Sequence, residues 1–76
     1  MKITTLSDIQ AELDFAKTHG DFRSYHEGIA IIREEYLELE KEIFKRKPDK
    51  IRVKEEALQV IATCLKLMEF AENETD

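Results

Sequence analysis

Apolar and polar positions along the chain fall into three stretches of helical period separated by two short polar breaks. In the middle stretch, Ile29, Ile32, Tyr36, Leu39 and Ile43 recur in steps of three and four. That spacing puts them on one stripe of an α-helix. Ser24-Tyr25-His26-Glu27 just ahead reads as a capping box, in which the serine takes a free amide and the glutamate reaches back. Pro48 lies beyond, and the residue before a proline avoids helical backbone. Together these predict a helix from Tyr25 to about Arg46.

The first stretch carries Leu6, Ile9, Leu13 and Ala16 on one face, with Phe15 off it. Ser7-Asp8-Ile9-Gln10 is a second capping box, and Gly20 is a good stop. A helix over about residues 6–19 follows. The third stretch, about residues 50–72, repeats Ala57, Leu58, Ile61, Cys64, Leu65 and Met68, widened by Val60, Leu67 and Ala71. It is apolar over more than half its circumference, which predicts cover on more than one side. Its remaining face carries Glu56, Gln59, Thr63 and Phe70. The fold class is therefore all-α, a single domain over residues 1–76. Its second and third helices are joined by a short turn into a long antiparallel hairpin.

A chain of 76 residues with one cysteine, Cys64, has no intrachain disulfide to support a small core. The missing burial is expected from further copies of the chain. Two hairpins would pair into a four-helix-bundle-type oligomer, a homodimer or a dimer of dimers. The net charge of −5 argues against nucleic acid as a partner. No apolar run has the length of a membrane span, and the opening Met1-Lys2-Ile3 gives way to polar residues too soon for a secretory leader. No membrane association and a cytoplasmic location are expected.

Charge changes the picture most on the second helix. Glu34, Glu35, Glu38 and Glu42 follow the same three-and-four rhythm; Glu35, Glu38 and Glu42 make an acidic wall beside the apolar stripe, with Glu34 one step further round. Like charges at these spacings repel by a few tenths of a kcal/mol per pair. Surface glutamates are ordinarily solvated, but here the hairpin supplies a facing set. Glu38 lies about ten residues before the turn centre and Glu56 about eight after it, a height difference of about 3 Å. Carboxylates from facing helices are how bundles hold hard cations. The turn itself holds six of the chain's twelve basic residues, between Lys45 and Lys54. They complete the negative end of the second helix or form a positive rim for phosphates.

Glu34-Glu35-x-x-Glu38 followed by Glu56-x-x-Gln59 resembles the EExxE…ExxD signature of the MazG-like, all-α nucleoside triphosphate pyrophosphohydrolases. The likeness runs from about Ile9 to Phe70 and is closest to small phage-type and bacterial members. It implies a magnesium-dependent hydrolysis of a nucleoside triphosphate to monophosphate and pyrophosphate. By position, Glu35, Glu38, Glu56 and Gln59 are the implied Mg2+ ligands, and Glu34 or Glu35 is the implied catalytic group that orients water. Gln59 stands where the signature has Asp, so it offers an amide oxygen without charge. Lys54, near the turn, is a candidate phosphate-binding residue. A helical oligomeric module that binds a protein or nucleotide without catalysis is the alternative. Gln59 and the short stretch after the third helix favour it, while the intact glutamates favour the enzyme.

Overall fold

The structure is a computed structural model and describes residues 2–74. Three helices account for most of them: α1 (Ile3–Lys17), α2 (Tyr25–Ile43) and α3 (Lys50–Asn73). Two of the three starts are set by side-chain caps. The Ser24 hydroxyl accepts from the Glu27 backbone N–H at 3.0 Å. Glu27 reaches back as a capping box requires, though one residue further, to the Arg23 N–H at 3.3 Å. Asp49 accepts from the Ile51 N–H at 2.9 Å and starts α3.

Two boundaries differ from the sequence pattern. α1 begins at Ile3, so Ser7 sits inside the helix, and the residue at the cap position, Lys2, makes no side-chain cap. A cap contributes about 1 kcal/mol. That is too little to stop Thr4, Thr5 and Leu6 from extending the helix upstream, and Thr5 and Leu6 donate to the Lys2 carbonyl. α2 ends at Ile43 rather than near Arg46. The chain must reverse before Asp49 caps α3, and a helix to Arg46 would leave three residues for the turn. At the end of α1, Gly20 has φ +91°, the left-handed conformation that lets the chain turn towards Phe22.

α3 is the central helix. α1 and α2 each pack on it, and among the described residues they do not pack backbone to backbone on one another. The core is small: Leu13 from α1, Phe22 from the connection and Ala62 from α3 are the buried apolar residues. Ala62 and Thr63 are the buried positions of α3, because they lie between the directions of α1 and α2. Gly28 is where α2 and Phe22 come closest to α3. A Cβ there would lie 2.8 Å from Leu67 Cδ1 and 3.0 Å from the Phe22 ring.

Three of the five positions of the α2 stripe do not face α3. Ile29, Tyr36 and Ile43 are 57%, 53% and 47% exposed, and Gly28 and Glu42 are buried instead. At 100° per residue the inward face of α2 runs through Gly28, Ile32, Glu35, Leu39 and Glu42, with the Ile29–Tyr36–Ile43 row on one flank. α3 has a matching row, in which Ile61 and Met68 are exposed and Cys64 is partly so. Both rows lie on the side of the hairpin away from α1. Among the described residues no helix is long and apolar enough to cross a membrane.

Replacing a helical glycine by alanine ordinarily stabilises by up to about 1 kcal/mol. At Gly28 the added methyl meets the Phe22 ring, and overpacking costs about 1–3 kcal/mol. Gly28→Ala is therefore expected to lower unfolding free energy by about 1 kcal/mol in urea titration.

Candidate metal centre

Three of the glutamates singled out by the sequence meet. One carboxylate oxygen from each of Glu35, Glu38 and Glu56 lies within 4.8 Å of the other two. Glu35 and Glu38 project from successive turns of α2, and Glu56 comes from α3, so the hairpin register brings them to one height. Gln59 is one turn further along α3, but its amide donates to the Glu12 carboxylate of α1 in a short hydrogen bond. Glu34 is exposed and stands apart, along an open groove with Ile29, Ala30, Arg33 and Leu37. Lys54 is also elsewhere: its ammonium pairs with Asp8 of α1 at 3.1 Å.

Sequence reasoning missed two contributors. Glu12 approaches from α1, bonds Gln59 and adds negative potential at Glu35. Its only sequence signal is its place one residue before Leu13, on the edge of the α1 apolar face. Arg52, not Lys54, is the cation at the cluster. Its guanidinium lies 3.3 Å from Glu56, 2.8 Å from Glu55 and 4.0 Å from Glu42. The i, i+4 spacing of Arg52 and Glu56 is legible in the sequence and was there to be read. Glu42, expected on the acidic wall, is buried and neutralised by Lys45, which donates to both of its oxygens at 3.0 and 2.9 Å.

The electrostatics follow from this crowding. Partial burial raises the Glu35 carboxyl above its usual value of 4.5, and Glu38, Glu56, Glu34 and Glu12 push it further in the same direction. Burial likewise raises Glu56, whose side chain is 13% exposed, and Glu38 adds to the rise while Arg52 opposes it. An excess of negative charge therefore gathers in a small volume with a single guanidinium beside it.

The donor set fits a hard divalent cation. Magnesium takes oxygen ligands at about 2.0–2.1 Å, so opposed ligands stand about 4.2 Å apart and adjacent ones about 3 Å. Carboxylates already within 4.8 Å of each other reach those separations by side-chain rotation. Compared with protein-family models, curated proteins and solved structures, the chain finds no match.

Groups whose carboxyls are raised in the folded state bind more protons there than in the unfolded chain. Their contribution to stability falls as pH rises from the usual 4.5 through the raised value, and is lost above it. Without divalent cations, Glu35→Gln is expected to raise the melting temperature at pH 7 by a few degrees. It should also flatten the decline between pH 4.5 and neutrality, as followed by circular dichroism.

Proposed function

We propose that the protein is a MazG-like nucleoside triphosphate pyrophosphohydrolase, magnesium-dependent, that yields a monophosphate and pyrophosphate. The observation that carries the reading is the convergence of Glu35, Glu38 and Glu56 from two facing helices. Glu38 and Glu56 would hold the ion, with Glu35 completing the set. When bound, magnesium supplies polarisation of the phosphates and a lowered pKa for the attacking water. Glu35, partly buried and with a raised carboxyl, is placed to orient that water and take its proton. Arg52 and Lys45, on the turn side of the cluster, offset charge on the polyphosphate in the role first assigned to Lys54. Glu34, exposed and outside the cluster, acts on it through its charge beside Glu35.

The reading includes a homodimer or a dimer of dimers. Three buried apolar side chains among the described residues are little for a chain of this length. The rows Ile29–Tyr36–Ile43 and Ile61–Met68 form one apolar side of the hairpin, opposite the acidic cluster. A second copy laid on that side completes a four-helix bundle and leaves the carboxylates accessible. Ile61→Lys is expected to convert an assembly of about twice 8.9 kDa or more into monomer by sedimentation equilibrium, with a lower melting temperature.

A second reading, a helical module without catalysis, is favoured by two contacts. Arg52 already pairs with Glu56, and Gln59 is already bonded to Glu12, so part of the cluster is satisfied internally. Pyrophosphate release from a nucleoside triphosphate panel separates the two. The enzyme is expected to turn over only with magnesium, and Glu38→Ala to reduce the rate by more than about a hundredfold, since even outer-shell changes cost 10–100-fold. Magnesium should also raise the melting temperature of the wild type and not of Glu38→Ala. No turnover with no magnesium-dependent stabilisation selects the module.

A further inference from the structure

Beside the acidic cluster lies a cavity of about 280 Å³ that the triphosphate chemistry alone does not use. Phe15 of α1, His19, Asp21 and buried Phe22 of the connection, Glu27 and Ile31 of α2 and Lys66 of α3 line it, and Glu35 is its border with the cluster. Its size falls just below the usual range of ligand cavities, about 300–1,000 Å³, so one ring system is its natural load.

Lys66 is the cation of a lining that also carries the Asp21, Glu27 and Glu35 carboxylates, and it is the group that can donate to a ligand's carbonyl. It is half-buried, and among the described residues no carboxylate lies within ion-pair distance of it. Its ammonium sits 4.8 Å from the centroid of the Phe22 ring and donates to the Ala16 carbonyl at 3.3 Å. One of its three donors is used there, which leaves two and no acceptor. The negative end of α1 helps to hold the charge in place. The aromatic walls favour a flat polarizable ring, and the ammonium favours an edge that presents an oxygen acceptor.

We propose that this cavity is a nucleoside subsite selective for bases with an exocyclic carbonyl facing Lys66, so that the substrates are oxo-base rather than adenine nucleotides. The proposal rests on the nucleotide reading above. The sugar and phosphates leave the cavity past Glu35, the one glutamate of the cluster that also lines the cavity.

Inosine and adenosine differ along one edge of the ring, 6-oxo with an N1–H against 6-amino with a bare N1, and make the test. Their binding is measured by NMR titration of the full chain in excess EDTA, so it does not depend on the metal cluster. Inosine is expected to shift signals of Phe15, His19 and Phe22, and to bind about tenfold or more tightly than adenosine, as a charge-assisted hydrogen bond allows. Lys66→Met keeps the aliphatic stem and is expected to bring the ratio close to one. Phe15→Ala, at a residue 62% exposed and so safe for folding, should weaken both nucleosides. Equal binding of the two by the wild type, preference retained in Lys66→Met, or no shifts at the cavity each overturn the proposal. A parallel magnesium titration separates the two ideas: magnesium binding with no nucleoside binding overturns the subsite alone. Nucleoside binding with no magnesium response supports the subsite and removes the hydrolase.

Discussion

The register between α2 and α3 is the constraint on which everything functional depends. At one end Ser24 starts α2, and Gly28 lets Phe22 and Leu67 close over it without a side chain in the way. At the other end the reversal between Ile43 and Lys50 fixes where α3 begins, with Asp49 as its cap. Between those two points the helices have no freedom to slide. Glu38 therefore meets Glu56 at the same height, although the contact itself is repulsive. The hairpin holds the acids together because apolar contact and caps outweigh a repulsion of a few tenths of a kcal/mol per pair.

That balance leaves the cluster electrostatically unfinished. Glu35 and Glu56 are both raised, and the nearby guanidinium is shared among Glu42, Glu55 and Glu56. A group with many partners neutralises none of them fully. A divalent ion brings to the same point twice the charge in a volume that three oxygens can surround.

The helices were legible because period, caps and breakers agree: Ser24, Asp49 and Pro48 each do what their chemistry dictates. Where α1 starts was not, since a capping pattern inside a helix looks the same as one at its end. Glu35, Glu38 and Glu56 were legible from rise per residue and an antiparallel turn. The 100° step between neighbours set Glu34 further round than Glu35, but only the position of α3 says which of them joins Glu38 and Glu56. Glu12, Arg52 and the cavity around Phe22 depend on how α1 lies across α3, and a single helix's spacing carries no record of that. The apolar stripe of α2 was legible as a row, but regularity marks a face to be covered, not the neighbour that covers it.

α1 is fastened to the hairpin largely by surface chemistry. Lys17 pairs with Glu69 at one end, Asp8 with Lys54 at the other, and Glu12 with Gln59 between them, around buried Leu13. Exposed pairs of this kind weaken in salt and contribute little each. Peeling away this helix therefore needs less free energy than melting the hairpin, and it would strip Phe15 and His19 from the cavity while Glu35, Glu38 and Glu56 stayed in register. Ionic strength thus acts on the two halves of the site unequally, loosening the aromatic half before the acidic one.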